Sequence, residues 1–170
     1  MQRLLPQVNA QRREQALRYK HTFGQFCCLK SWLMLSAMHI GDMEFLYNEH
    51  GKPYIEGGPY FSISHCKTAI AVAIDDRPIG IDIEAIRHAN EDLIERVMSE
   101  KEKSQIINQK SSIESACAFT RLWTQKEAIV KAEGTGITSF EQLQEIRNNE
   151  DWNVESFENK EYIYSVAYIK

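Results

Sequence analysis

The sequence predicts an α+β fold, in which blocks of helix and blocks of antiparallel strand follow one another along the chain. Apolar residues recur at helical spacing in residues 24–39 and again towards the end of a segment at residues 111–134. Between these segments, residues 61–86 change to a period of two and contain turn chemistry. Residues 162–169 are again strongly β-prone. Blocks of this kind are typical of α+β proteins, whereas strict alternation of strand and helix indicates a parallel sheet.

The composition is that of an ordinary globular protein. The chain has 170 residues, of which 43% are apolar and 26% charged, enough for one well-buried core. A net charge of −4 gives no overall basic field, so we expect no nucleic-acid partner. The apolar window at residues 26–40 is shorter than the roughly 20 residues that span a bilayer, and residues 1–9 contain no apolar signal segment. We therefore expect a cytoplasmic protein with no membrane partner.

The four cysteines have no C-x-x-C spacing and no histidine pattern that would suggest a metal site. They are Cys27, Cys28, Cys66 and Cys117. We expect free thiols, mostly in the core, in a reducing compartment.

The helices are predicted from their capping and stop signals. Asn9 can cap the first helix, Gly41 stops the second, and the sequence of residues 99–102 has the form of a capping box. Gly134 supplies the left-handed residue that commonly ends a helix. The predicted spans are residues 9–20, 24–39 and 91–98, a helix that begins at 99, and a long helix from 111 or 112 to 134.

The strands are predicted where the period of two is clear. They cover residues 61–64, 68–74, 79–86, 152–157 and 162–169. Because a turn sequence, Asp75-Asp76-Arg77-Pro78, separates two of them, the strand–turn–strand spacing indicates an antiparallel hairpin.

Asp82 and Glu84 are candidate metal ligands. Side chains alternate along a strand, so the two carboxylates project together while Ile81 and Ile83 face the core. Their Cα atoms would lie roughly 6.5–7 Å apart. Two such carboxylates repel unless a cation lies between them, and Mg²⁺ binds through one or two carboxylates, waters and substrate phosphate. The alternative interpretation is an exposed sheet face that carries charged residues.

Glu127 and Lys131 are four residues apart on the long helix and therefore share a face. Taken alone, this spacing is that of a surface ion pair on an amphipathic helix. Lys52 between Gly51 and Pro53, and His65 at the end of a strand, are likewise unremarkable by themselves.

In combination, these segments carry a resemblance. Blocks occur in a fixed order: Gly51-Lys52-Pro53, Phe61-Ser62-Ile63-Ser64-His65, Gly80-Ile81-Asp82-Ile83-Glu84, and Trp123-Thr124-Gln125-Lys126-Glu127-Ala128 with Lys131 and Gly134-Thr135-Gly136. A further block is Arg96-Val97-Met98-Ser99 with Glu102. The chain resembles the 4′-phosphopantetheinyl transferases of the Sfp-like type over residues 9–140. It departs from their common N-x-S-H-S sequence, which is here Ser62-Ile63-Ser64-His65-Cys66, and carries Cys27 and Cys28 where relatives often have a basic or hydroxyl ligand.

The resemblance implies a reaction. The 4′-phosphopantetheine group of coenzyme A would be transferred to a serine of an apo acyl or peptidyl carrier protein, with release of adenosine 3′,5′-bisphosphate. The carrier would serve fatty acid, polyketide or nonribosomal peptide biosynthesis. Two other functions remain open: a Mg²⁺-dependent phosphohydrolase or nucleotidyl transferase, and a non-catalytic module that binds coenzyme A or a carrier protein.

The resemblance also implies roles for individual residues. As metal ligands it implies Asp82, Glu84 and Glu127, holding Mg²⁺ or Mn²⁺ against the pyrophosphate. Lys131 and Lys126 would neutralise phosphate charge. Ser64 and His65 would contact the phosphates of coenzyme A, Lys52 its nucleotide end, and Arg12 or Arg13 its 3′-phosphate. Glu127, or a metal-bound water that it activates, would accept the serine proton.

The fold implied is a pair of similar halves related by a pseudo-twofold axis, each a small antiparallel sheet packed with helices. The division would give an N-terminal half at residues 1–78 and a C-terminal half at residues 79–170 that carries the metal carboxylates. Because one chain would supply both sides of the cleft, we expect a monomer.

Overall fold

The computed structural model describes residues 3–146 and 151–170. Its helices are α1 (Ala10–Leu17), α2 (Thr22–Ala37), α3 (Glu91–Val97), α4 (Glu100–Ile107), α5 (Ser112–Glu133) and α6 (Phe140–Glu145), after a 3₁₀ turn at Leu5–Gln7. Its strands are β1 (Leu46–Tyr47), β2 (Pro53–Tyr54), β3 (Tyr60–His65), β4 (Ile70–Asp75), β5 (Ile79–Ala85), β6 (Trp152–Glu158) and β7 (Tyr162–Ile169). The predicted α+β class is confirmed.

The capping signals predicted three helix ends. The Asn9 side chain accepts a hydrogen bond from the backbone of Arg12 at 2.8 Å at the start of α1. Ser99 and Glu102 form the predicted capping box of α4. Gly134 ends α5 with a φ of 76°. The sequence predicted these helix termini because residues with these capping preferences satisfy the backbone N–H and C=O groups that have no partner within the helix.

The predicted end of α2 was wrong. The helix ends at Ala37, and the left-handed residue that follows is His39, with a φ of 65°, rather than Gly41. Gly41 has a different reason to be glycine, since a Cβ there would lie 1.9 Å from Ser36 Oγ. The chain turns back over its own helix at this point.

The strands form three antiparallel sheets, ordered β1-β2, β3-β4 and β5-β7-β6. The predicted hairpin is therefore misplaced: β4 pairs with β3, and β5 pairs with β7 across the chain. The turn at residues 75–78 leads from one sheet into the next instead of closing a hairpin. Hydrogen bonds explain the difference, because β5 is already satisfied on one side by β7 and on the other by side chains of β3.

Those side chains are serine hydroxyls. The backbone N–H of Ile81 donates to Ser62 Oγ at 3.1 Å, and that of Ile83 donates to Ser64 Oγ at 3.2 Å. Both serines are buried. The edge of β5 that faces away from β7 is thus bonded to the first half of the chain through hydroxyls.

The long helix α5 packs against β5 and β7. Gly80 makes this approach possible, since a Cβ there would lie 2.0 Å from the carbonyl oxygen of Ala128 and 2.4 Å from the backbone nitrogen of Ala132. The buried residues on the other side of α5 join a core that includes Val97, Phe119 and Leu143. The two contacts fix α5 against the strand that carries Asp82.

Two further observations concern the predictions from composition. All four cysteines lie within the described ranges and are free thiols, with Cys27 and Cys66 buried. Among the helices of the described ranges, none is both long and apolar enough to cross a membrane. The division of the chain near residue 78 stays a prediction.

Candidate active site

Asp82 is the centre of a buried polar cluster where strands β3 and β5 meet helix α5. Lys131 Nζ lies 2.6 Å from Asp82 Oδ1, and Ser64 Oγ donates to the same oxygen at 2.8 Å. Lys131 Nζ also donates to Ser64 Oγ at 3.0 Å. The carboxylate is only 4% exposed, so the ammonium and the hydroxyl replace the water it has lost. Strands β3 and β5 and helix α5 each supply one member.

The second carboxylate oxygen of Asp82, Oδ2, differs from Oδ1 in its hydrogen bonding. Among the residues that the structure describes, Asp82 Oδ2 is buried and has no hydrogen-bond partner. Buried polar atoms are nearly always satisfied, and an exception calls for an explanation such as a missing ion or water. Asp82 Oδ2 is therefore the atom of this cluster that is open to a further ligand.

Glu127 and Glu84 complete the group of carboxylates. Burial, and then the negative charges of Asp82 and Glu84, raise the pKa of Glu127 from 4.5 to about 7, while Lys131 opposes the change. Burial and Asp82 also raise the pKa of Glu84, opposed by Arg87, Lys131 and a hydrogen bond from Trp123. The carboxylates thus act on one another electrostatically, which is the arrangement expected from the sequence. One lysine is not enough to neutralise them.

The donor set fits a hard divalent cation. Within residues 3–146 and 151–170, no three or more His, Cys, Asp or Glu side chains are already arranged around a common metal position, and the Lys131 ammonium lies against Asp82 instead. However, Mg²⁺ requires only one or two carboxylates from a protein. The unsatisfied Asp82 Oδ2 favours a bound cation, and so do the burial and the neighbouring carboxylates that raise the pKa of Glu127.

Glu127 and Lys131 line a cavity of about 370 Å³ between helix α5 and strand β3. Its other walls include Lys52 and the loop residues Gly136 and Ile137. A second cavity, of about 260 Å³, shares three wall residues with the first and extends between α1, α2 and β3. The shared residues are Gly51, Pro53 and Ile63. The two adjoining cavities, called here the joined cavities, define a path from Glu127 and Lys131 past the shared walls to the N-terminal helices.

Comparison with known proteins matches this geometry to a family. Residues 78–166, which include Asp82, Glu84, Glu127 and Lys131, match the model of the 4′-phosphopantetheinyl transferase superfamily. A Bacillus subtilis protein named 4′-phosphopantetheinyl transferase ffp is 30% identical over 161 residues, covering 89% of this chain and 71% of the relative. The chain belongs to this superfamily.

Two more relatives support the Sfp-like type. One from Bacillus subtilis, named 4′-phosphopantetheinyl transferase, is 30% identical over 80% of this chain and 64% of its own length. Sfp, from strain 168, is 29% identical over 81% of this chain and 65% of its own length. The resemblance to Sfp-like transferases is confirmed, and the names of the relatives support an enzyme. The superfamily member described here spans about two thirds of the length of these relatives.

The structure brings Arg12, Lys52 and His65 of this superfamily member to the joined cavities. The guanidinium of Arg12 lies 5.1 Å from the centre of the Phe45 ring. The Lys52 ammonium donates to the carbonyl oxygen of Ala132 at 3.1 Å, and burial lowers its pKa. His65 is exposed at the end of β3. Three cationic or ionisable groups therefore line the path, and their contacts with coenzyme A stay predictions.

Arg13 and Lys126 are placed elsewhere. Arg13 donates to the backbone oxygens of Leu5 at 3.2 Å and Val8 at 3.4 Å and so holds the N-terminal turn against α1. Lys126 is 2% exposed and is enclosed by α4 and α6. The ammonium thus has buried partners of its own, and the role of Lys126 in neutralising phosphate charge stays a prediction.

Ser64 lies in the site, and its contact with the phosphates of coenzyme A stays a prediction. Its hydroxyl donates to Asp82 and accepts from Lys131 and from the backbone of Ile83. Sequence reasoning missed the role of Ser62, which accepts from Ile81. The alternation of serines in Ser62-Ile63-Ser64 was a usable signal, since it puts both hydroxyls on one face of β3.

Proposed function

We propose that this protein transfers the 4′-phosphopantetheine group of coenzyme A to a serine of an apo acyl or peptidyl carrier protein. The observation that carries the proposal is the cluster of Asp82, Glu84, Glu127 and Lys131 beside a cavity that leads to further basic residues. Coenzyme A carries a pyrophosphate and a separate 3′-phosphate, and so it needs positive charge at more than one place.

The basic residues would bind the donor. Lys131 lies beside the carboxylates and would contact the pyrophosphate, while Lys52 and His65 line the path towards the nucleotide end. Arg12, at the far end of the path, would meet the 3′-phosphate. Its cation–π contact with Phe45 limits the motion of the guanidinium and so reduces the entropy lost on binding.

Asp82, Glu84 and Glu127 would hold Mg²⁺, for which Mn²⁺ can substitute because the ligands are all oxygens. When bound, the ion would neutralise pyrophosphate charge and stabilise the leaving group. Asp82 Oδ2 supports this role because it is buried and lacks a partner among the described residues.

The reaction requires positioning and one proton transfer. The carrier serine oxygen forms a bond to the phosphorus of the pantetheine phosphate, and the bond from that phosphorus to the bridging oxygen breaks, releasing adenosine 3′,5′-bisphosphate. The serine proton passes to the Glu127 carboxylate, directly or through one water. Without metal, burial and then the charges of Asp82 and Glu84 raise the pKa of Glu127 to about 7, and a bound cation would lower it and so keep the carboxylate in the ionised form that a base requires. Lys131 stabilises the negative charge that develops on the phosphate oxygens.

We also propose that one chain completes the site, so that a cytoplasmic monomer suffices, without nucleic acid or membrane. Both halves supply members of the Asp82 cluster, which supports this proposal.

The test is incubation with coenzyme A, Mg²⁺ and an apo carrier protein, followed by the intact mass of the carrier. A gain of one phosphopantetheine group, lost when EDTA is added and in Asp82→Asn, is expected. Release of phosphate or nucleotide without a carrier adduct would support a phosphohydrolase or nucleotidyl transferase. Binding of coenzyme A without turnover for acyl and peptidyl carriers alike would contradict transfer and support a binding module.

A further inference from the structure

Lys126 lies in the Trp123-to-Ala128 motif, yet its side chain is buried away from the joined cavities. Its Nζ donates to the carbonyl oxygens of Leu143 at 2.6 Å and Ile146 at 3.1 Å and pairs with Glu102 Oε1 at 3.0 Å. An ammonium has three protons to donate, and three acceptors surround this one. A buried charge is costly unless it is fully paired, so loss of this group would leave three buried acceptors without a donor.

The carbonyl groups that Lys126 binds lie at the C-terminal end of α6. The last carbonyls of a helix have no partner within it, and a cation there is favourable. Helix α6 has only six residues, Phe140–Glu145, well below the roughly 12–15 at which an isolated helix becomes marginally stable. Its position therefore depends on tertiary contacts. On the side of α3, the Arg96 guanidinium lies 4.2 Å from the centre of the Phe140 ring and Gln144 donates to the carbonyl oxygen of Glu95. At the C-terminal end, the contacts are those of Lys126 and of the fully buried side chain of Leu143.

The segment that Lys126 holds begins at the cavity. Gly134, Gly136 and Ile137 line the 370 Å³ cavity together with Glu127 and Lys131, and α6 follows three residues after Ile137. At its start the segment is tied to the first half, because Asn48 Nδ2 donates to the carbonyl oxygen of Gly134 at 2.8 Å. Residues 135–146 are thus a short loop and helix anchored at both ends.

Glu102 links this anchor to α4. Its Oε2 accepts from the backbone and the hydroxyl of Ser99 at 2.7 and 2.8 Å, while its Oε1 pairs with Lys126. The glutamate is itself mostly buried and its position is fixed by the capping box. Lys126 therefore joins the start of α4 to the end of α6 through contacts whose geometry is set on both sides.

We propose that Lys126 is a positioning residue: it holds α6, and through it the loop that walls the cavity, and so sets the affinity for coenzyme A without touching it. The effect on affinity rests on the function proposed above, whereas the anchoring of α6 does not. The role differs from phosphate neutralisation, because the ammonium acts through the backbone of residues 135–146.

Amide hydrogen exchange without substrate tests the anchor. In Lys126→Met we expect exchange in residues 137–146 to accelerate at least tenfold. Lys101→Met, at an exposed lysine of α4, is the matched control and should leave that segment unchanged. Glu102→Gln removes the negative charge that pairs with Lys126 and leaves both backbone acceptors, so it should accelerate exchange in the same segment by a smaller factor. Unchanged exchange in both Lys126→Met and Glu102→Gln would overturn the proposal.

Initial rates at varied coenzyme A concentration test the coupling. We expect Lys126→Met to raise KM about tenfold while kcat falls less than threefold, and Glu102→Gln to change KM in the same direction. Two results would overturn the positioning role. One is a raised KM in Lys126→Met with unchanged exchange and with unchanged KM in Glu102→Gln, which would mean that Lys126 contacts the phosphate directly. The other is faster exchange with unchanged KM. If Lys126→Met does not fold, Glu102→Gln decides alone by both measurements. A wild-type protein that folds but transfers nothing contradicts the proposed function, and the exchange result still decides the anchor.

Discussion

Replacement of Glu127 by glutamine should remove transfer and yet stabilise the fold at alkaline pH. In the unfolded chain this carboxyl ionises near 4.5, and in the folded protein near 7. A pKa raised by folding means that stability present below 4.5 is lost as the pH rises through about 7. At 1.36 kcal/mol for each tenfold change in the ionisation constant, the wild-type protein loses roughly 2–3 kcal/mol between pH 5 and pH 8.

The assay is urea unfolding of metal-free protein at intervals from pH 5 to pH 8. Glu127→Gln has no proton to lose, so its stability should exceed that of the wild type by an amount that grows with pH. In thermal unfolding, at the usual 2–4 °C per kcal/mol for a domain of this size, the difference in melting temperature between Glu127→Gln and the wild type should grow by roughly 4–12 °C from pH 5 to pH 8. Glu133→Gln, at an exposed carboxylate of α5, is the control and should follow the wild type.

Saturating Mg²⁺ adds a second comparison. A cation that Glu127 helps to hold should stabilise the wild type more at pH 8 than at pH 5, and Glu127→Gln less at both. Parallel pH curves for the wild type and Glu127→Gln without metal would refute the reasoning, because they would mean that this carboxyl ionises freely in the folded protein.

Three further predictions test the assembly of the site. Gly80→Ala should destabilise the fold by about 1–3 kcal/mol, measured by urea unfolding, because the added methyl overlaps the backbone of Ala128. Lys131→Met should lower kcat for carrier modification by about 10²-fold or more, since it removes the cation beside the reacting phosphate; near-normal turnover would exclude that role. Arg12→Met should raise KM for coenzyme A about tenfold, whereas Arg13→Met, whose side chain binds the N-terminal turn, should leave KM unchanged.

The elements that the sequence predicted well are those with a local signal. Asn9 and the Ser99–Glu102 capping box predict the starts of α1 and α4, because each side chain bonds to a backbone group only three residues away. The carboxylates of Asp82 and Glu127 were identified together because two ordered motifs resemble one family. Membership of that family, the α+β class and the interaction among the carboxylates all follow from such signals.

The elements that the sequence missed are held by distant contacts. Helix α6 is too short to have a clear period and depends on Lys126, at least 17 residues away. Strand β5 pairs with β7, which lies some 80 residues later, so a local turn at residues 75–78 gave the wrong partner. Lys126 and Glu127 are neighbours in sequence but point in different directions around α5. Both residues belong to the same sequence motif. Only the packing of α4 and α6 around Lys126 distinguishes its position from that of Glu127.

The serine hydroxyls that bond the edge of β5 have a consequence for the limits of the folding unit. The family match covers residues 78–166, which suggests a separable piece. In a fragment that begins near residue 78, the N–H groups of Ile81 and Ile83 would lose Ser62 and Ser64 and become an open strand edge, and Asp82 would keep Lys131 but lose the hydroxyl of Ser64. Open edges of this kind recruit other strands. The segment that carries the signature should therefore aggregate or self-pair when expressed alone, and we expect the unit that folds to include strand β3.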